Sequence, residues 1–238
     1  MIKELIWDSA LFKRKIGEFI PVSRKPSRVK NALKKAKEEG FKYLICRIKS
    51  QDTVFIRLLE TLGFYLTDIG VILTIKTDTF FQKNSQRESI IGKSIKAAAY
   101  DDIPMLKGLV KSLFLESRFY DDPFFTKDEA DRLYAAWIEN SVKGQAADVV
   151  FCISQTGFIA CRKSGKNSGE IVLIGIKANH RGKSFGTSLI SEAMQWFKKQ
   201  KITQISVRTQ LKNLSALNFY VNLGFLPKEY DIVFGKIL

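Results

Sequence analysis

Eight residues, His180-Arg181-Gly182-Lys183-Ser184-Phe185-Gly186-Thr187, lie between an apolar run, EIVLIGI at 170–176, and an amphipathic stretch, SLISEAMQWFKKQ at 188–200. A strand, a short glycine-bearing loop and a helix in that order form an anion cradle. The first amides of a helix lack intrahelical acceptors, and the helix dipole adds partial positive charge there. Gly182 and Gly186 allow close backbone approach to a phosphate, and Arg181 and Lys183 add full charges at the rim. The spacing is not that of a Walker A loop, and it lacks the three glycines of the dinucleotide fingerprint, so ATP and NAD fit poorly.

Downstream, NLSALNFYVNLGF at 213–225 places Asn213 where it can cap a helix on which Ala216, Tyr220 and Leu223 share a face. Taken together, Arg-Gly-Lys-x-x-Gly-Thr after a strand, then Asn-x-x-Ala-x-x-x-Tyr and Gly-Phe, resemble the GCN5-related N-acetyltransferases over residues 94–238. The resemblance implies an α+β fold with a mixed central sheet flanked by helices, and acetyl-CoA as acetyl donor, with no metal. It implies that the loop, with Arg181, Gly182, Lys183, Ser184, Phe185, Gly186 and Thr187, binds the pyrophosphate. Residues 171–176, with Ile174, Gly175 and Ile176, would lie along the pantetheine, and Asn213 would contact the cofactor. An amine would attack the thioester carbonyl, a strand N–H near Gly175 or Ile176 would stabilise the oxyanion, and Tyr220 would protonate the departing thiolate. A phenol with a pKa of about 10 holds its proton at neutral pH; the plainer reading of Tyr220 is a core aromatic. The family usually has glycine where Ser184 stands. If that position needs φ > 0, serine costs roughly 1–2 kcal/mol; alternatively its hydroxyl serves a phosphate oxygen.

Four further stretches, WDSALF near the N-terminus, ESRF at 116–119, LYAAWIENSVKG at 133–144 and TQLKNLSALNFY, resemble the branch of the family that acetylates dTDP-fucosamine. That likeness runs along the whole chain and implies a small N-terminal α/β domain ahead of the acetyltransferase domain. The implied acceptor is a dTDP-amino sugar, dTDP-4-amino-4,6-dideoxy-D-galactose, used in surface polysaccharide synthesis. Arg118, Phe119 and Tyr120 would form an acceptor lip, arginine for diphosphate and an aromatic for base or sugar, with Gln210 as a further contact. The same residues read equally as a solvated arginine beside core aromatics. Asp121, Asp122 and Glu139 are candidate bases by sequence proximity alone, and YDDPFF at 120–125 departs from the branch pattern. Rival acceptors are a polyamine, an antibiotic amine or a protein N-terminus, and a CoA-binding sensor would need no acceptor.

These residues require elements to hold them. A helix capped near Asp101 or Asp102, with Pro104 in its first turn, carries Ile103, Leu106, Val110 and Leu113 on one face. A second helix starts at Thr126, opposes its dipole with Asp128 and Glu129, and ends at Gly144. With VVFCIS and EIVLIGI as strands, the second half is expected as β-α-α-β-β-loop-α-β-α-β. The first half repeats part of it, since 161 residues separate Arg47 from Arg208 and Leu62-Gly63-Phe64 from Leu223-Gly224-Phe225. Each copy reads helix, strand, polar turn, helix, Leu-Gly-Phe, strand. The first copy has EFIPVSRKPSRVK in place of the glycine loop and Leu59 in place of Tyr220, so the reactive parts fall in the second. The expected organisation is a partial N-terminal copy at 1–79, a polar linker at 80–93 and the acetyltransferase domain at 94–238.

Composition sets the outer bounds. The chain has 238 residues, 45% of them apolar, and a net charge of +15 that favours polyanionic partners such as multiply phosphorylated small molecules. A nucleic-acid surface built on its basic clusters is the rival non-enzyme reading; the cluster at 31–39 alternates with acids and no nucleic-acid motif is present, so no nucleic-acid partner is expected. Three cysteines without a CxxC pair and a single histidine, His180, argue against a disulfide framework or a multi-histidine metal site. Without a signal-like N-terminus or a spanning apolar run, a cytoplasmic protein is expected, a possible homodimer.

Overall fold

A computed structural model of the chain describes residues 1–84, 95–111 and 113–238. The first half contributes β1 (Ile2–Glu4), α1 (Ile6–Phe12), β2 (Ile16–Phe19), α2 (Pro26–Glu38), β3 (Tyr43–Lys49), α3 (Thr53–Thr61), β4 (Tyr65–Lys76) and α4 (Thr77–Lys83). The second contributes β5 (Lys96–Ala97), α5 (Ile103–Val110), α6 (Arg118–Asp121), α7 (Lys127–Val142), β6 (Val149–Ile153), β7 (Gly157–Lys163) and β8 (Ser168–Ile176). It continues with α8 (Phe185–Lys199), β9 (Gln204–Gln210), α9 (Leu214–Asn222) and β10 (Leu226–Ile237). All ten of these strands form one mixed sheet in the order β1-β2-β3-β10-β4-β9-β8-β7-β6-β5.

The repeat read from the sequence is a repeat of structure. Shifting β3, α3 and β4 by 161 residues reproduces the bounds of β9, α9 and β10. The caps match too: Asp52 accepts from the Phe55 N–H and Asn213 from the Ala216 N–H. Gly63 and Gly224, at φ +75° and +98°, end α3 and α9 in the conformation that favours glycine. Each copy gives its last strand to the other. β10 pairs with β3 (Asp231 opposite Lys49), and β4 pairs with β9 (Gly70 opposite Gln210), two registers related by the same shift. The halves therefore share one sheet, with β10 and β4 side by side at its centre.

Strand alternation sorts the core. Tyr43, Ile45, Phe158 and Ala160 face one side, where α1, α5, α6 and α7 pack. Ile159, Cys161, Ile205 and Val207 face the other with α4, α8 and α9, and Leu44, Cys46 and Ile48 face it with α2 and α3. α7 begins as expected, with Thr126 and Glu129 exchanging hydrogen bonds in a capping box.

Three expectations are revised. The linker expected at 80–93 starts inside α4, where Phe80 is buried at 2% exposure because it packs in the α8 core; residues 85–93 lie outside the described residues. The first helix of the second half stops at Val110, so Leu113 sits in the turn beyond it and α6 follows as a separate short helix. β7 was not expected. Its first five residues are buried on both faces, which removes the alternation by which a half-buried strand is read.

Candidate active site

β8 and β9 run parallel and are paired only from Ser168–Gln204 to Ile171–Val207. Beyond Ile171, β8 continues to Ile176 paired with β7 alone, and β9 continues to Gln210 paired with β4. The separation begins at a bulge: Ala160 opposes Leu173 while Cys161 opposes Ile171, leaving Val172 as the extra residue on β8. The result is a fork whose β8 arm, with Ile174, Gly175 and Ile176, turns one backbone edge toward a gap in the sheet. Backbone donors and acceptors on that edge suit an extended chain carrying amides of its own.

The loop follows the β8 arm. A single turn at Ala178–His180 leads to Arg181, whose Nε donates to the Ile176 carbonyl at 3.2 Å, so its guanidinium is tied back across the loop. Gly182 takes φ +74° with open space where a Cβ would stand, and Lys183 is exposed. Ser184, the N-cap of α8, takes φ +61° and ψ 2°, the left-handed conformation its usual glycine would adopt, and its side chain makes no capping bond. The first α8 amide bonded within the helix is that of Ser188, to the Ser184 carbonyl at 3.0 Å, which leaves those of Phe185, Gly186 and Thr187 without intrahelical acceptors. The Phe185 ring meets His180 edge-on at 5.6 Å.

Packing fixes the loop in place. Leu189, Ile190, Met194 and Phe197 on α8 are fully buried, and at about 1.5–3 kcal/mol per large apolar side chain they anchor the helix far more firmly than one loop could displace it. A Cβ on Gly186 would lie 3.2 Å from the Phe219 ring, so glycine there lets the α8 start approach α9. Phe219 is thus a wall of the cleft that sequence reasoning did not single out.

Asn213 caps α9 as expected, its Oδ1 accepting from the Ala216 N–H at 3.0 Å, and its N–H donates to the Gln210 carbonyl at 3.0 Å. The cap occupies the oxygen and leaves the side-chain amide NH₂ as a donor. Tyr220, 3% exposed, packs its ring edge-on to Phe225 at 5.5 Å. Burial holds its hydroxyl well above the usual tyrosine pKa, reinforced by the Cys161 thiol. Cys161 itself lies opposite Ile171, where the fork opens. Of the two readings of Tyr220 from sequence, the core aromatic is the one its packing displays.

The other side of the fork is covered by the segment between α5 and α7. A Cβ on Gly175 would lie 2.6 Å from Leu113, so this segment rests on the β8 arm. Arg118 and Phe119 are not an exposed lip: each is 8% exposed, and the guanidinium stacks on the Phe119 ring at 4.1 Å with Nη1 unpartnered. Tyr120 is half-buried and donates to Asp131 at 2.6 Å. The exposed rim is made instead by Asp121, ion-paired to Lys212 in the loop before Asn213.

None of the three candidate bases is free. Asp121 has Lys212; Asp122 is buried and accepts from two tyrosines; Glu139, between Lys107 and Lys143, is held down to about 2, too weak a base for an amine. A centre that the repeat foreshadowed only as Arg208 joins the three middle strands. Its Nε donates to Asp231 at 3.0 Å and its Nη2 to Asp68 at 3.1 Å, in space left by Gly70.

Residues 110–225 match the acetyltransferase (GNAT) family. The second half of the chain belongs to that family. The chain is 25% identical over 228 residues to the dTDP-fucosamine acetyltransferase of Escherichia coli O6:H1, covering 94% of this chain and 92% of that one. It is also 25% identical over 134 residues to the spore coat polysaccharide biosynthesis protein SpsD of Bacillus subtilis, covering 54% of this chain and 46% of that protein. Among solved structures, a tandem GNAT protein from the clavulanic acid biosynthesis pathway matches with a TM-score of 0.63 at 12% identity, over 93% of this chain and 75% of that one. The fold is thus the GNAT fold, and the enzyme an acetyltransferase of a family that uses acetyl-CoA. Among the described residues, no helix is long and apolar enough to cross a membrane.

Proposed function

We propose that this GNAT enzyme transfers the acetyl group of acetyl-CoA to the amino group of a nucleotide-linked amino sugar, dTDP-4-amino-4,6-dideoxy-D-galactose. The observation that carries the acceptor is the similarity to a dTDP-fucosamine acetyltransferase along nearly the full length of both chains, first half included. The net charge of +15 favours two substrates that each carry a pyrophosphate.

In this reading the α8 amides of Phe185, Gly186 and Thr187, with Gly182, Lys183 and Ser184 beside them, hold the pyrophosphate of acetyl-CoA. Pantetheine pairs with the β8 edge at Ile174–176, and the Asn213 amide donates to the same arm. The amine attacks the thioester carbon, forming the C–N bond. A β8 amide near Gly175 or Ile176 donates to the developing oxyanion. Collapse breaks the C–S bond, and Tyr220 gives its proton to the leaving sulfur. With Asp121, Asp122 and Glu139 all engaged, the amine loses its proton to water.

The test is free-thiol release from acetyl-CoA by the purified chain, offered the proposed sugar nucleotide, its 4-epimer, a 3-amino isomer and spermidine. Selective turnover of one dTDP-amino sugar is expected. Preference for spermidine would overturn the acceptor reading, and no thiol release with any amine would overturn the reaction.

A further inference from the structure

The first half lacks the glycine loop and the tyrosine of the second, yet it reaches into the wall that covers the fork. Asp122, which ends α6, is 3% exposed. Its Oδ2 accepts from the Tyr43 hydroxyl on β3, and its Oδ1 accepts from the Tyr65 hydroxyl on β4 at 2.8 Å and from the Phe124 N–H at 3.0 Å. To get there Tyr43 crosses β10 at Gly235, where a Cβ would lie 2.2 Å from the phenol oxygen. The two tyrosines are not shared by the copies: Gln204 and Leu226 stand 161 residues on from Tyr43 and Tyr65.

α6 spans only Arg118–Asp121, too short to hold its own position. What fixes it is what grips its end, and a buried carboxylate with three satisfied donors is a rigid grip. The same helix meets the cleft: Asp121 pairs with Lys212 in the loop before Asn213, and upstream Leu113 rests on Gly175.

We propose that Tyr43 and Tyr65 are positioning residues for the acceptor: through Asp122 they fix α6 as the wall against which the amine is presented, so the first half takes part in acceptor selection. This rests on the amino-sugar reading above. Loss of either hydroxyl leaves the buried carboxylate short of a donor and lets α6 move.

The test compares the 238-residue wild type with Tyr43→Phe, Tyr65→Phe, the double variant and Gly235→Ala, whose methyl group crowds the Tyr43 hydroxyl first and Thr67 beside it. Three readouts are needed: steady-state kinetics with each substrate varied, acetyl-CoA affinity by calorimetry, and amide hydrogen exchange over residues 113–126. The acceptor KM should rise about tenfold in the double variant, as for a lost hydrogen bond to a charged group, while kcat and acetyl-CoA affinity change less than about twofold and residues 113–126 exchange faster. Gly235→Ala should reproduce Tyr43→Phe. An unchanged acceptor KM with faster exchange would overturn the proposal, leaving the tyrosines a structural role only. Parallel loss of acetyl-CoA affinity would also overturn it, because the effect would then be general. A wild type silent with every amino sugar would instead refute the acceptor reading and this proposal with it; an effect confined to the variants bears on the tyrosines alone.

Discussion

Ser184→Gly separates two roles that a serine at the start of α8 can have. At φ +61° the residue is left-handed, which costs an L side chain about 1–2 kcal/mol that glycine avoids. Glycine adds about 0.5–1 kcal/mol of backbone entropy to the unfolded chain, so the variant should be more stable by about 0.5–1 kcal/mol. In a chain of this length that is a rise of about 1–4 °C in Tm. The backbone contacts survive the change, because the Ser184 carbonyl, not its side chain, accepts from the Ser188 N–H and hydroxyl. The side-chain hydroxyl makes no capping bond, which leaves it available to a ligand oxygen. Thermal melts of the unliganded protein read the strain, and calorimetric titration with acetyl-CoA reads the hydroxyl. The expected pair of results is a higher Tm and an affinity about tenfold weaker, the scale of one hydrogen bond to a charged oxygen. A lower Tm would refute the strain argument, and unchanged affinity would remove the hydroxyl from phosphate binding.

Tyr220→Phe should lower kcat by about 10²-fold, the usual scale for a general acid, with acetyl-CoA affinity nearly unchanged; wild-type turnover would take the phenol out of the reaction. Gly70→Ala would place a methyl group 2.1 Å from Arg208 Nη2 and Asp231 Oδ1, and should destabilise the chain by about 1–3 kcal/mol in urea unfolding, as overpacking does. A wild-type midpoint would show that the ion-pair centre yields without cost. All three cysteines are buried, with burial pushing Cys46 up to about 12 and Cys161 higher still. A thiol reagent at pH 8 should therefore label none of them in the native state and all three in denaturant. Rapid native labelling would contradict that burial.

The frame of the candidate site was legible where it depends on local sequence. The octapeptide at 180–187, the Asn213 cap and the Leu-Gly-Phe turns all rest on residues adjacent in the chain, and the structure puts each at the expected helix end. The repeat was legible because both copies keep one offset. What escaped the sequence depends on distant strands meeting. The exchange of β4 and β10 carries no local mark. Asp122 reads as one of two adjacent acids until Tyr43 and Tyr65 arrive from 79 and 57 residues away. Arg118 reads as a surface arginine because its burial comes from packing that no local period announces. The fork itself arises from the bulge at Val172, inside a run that looks like an uninterrupted strand.

In the proposed reading one acetyl-CoA binds per chain, in the fork and loop of the second copy and not at their counterparts in the first. Calorimetry combined with amide hydrogen exchange during an acetyl-CoA titration tests it directly. One equivalent should bind, with protection gained at 172–176 and 182–188 and none at 20–25, where Arg24 and Asp52 pair beside the start of α3. Two equivalents bound, or protection that appears at 20–25 instead, would contradict it.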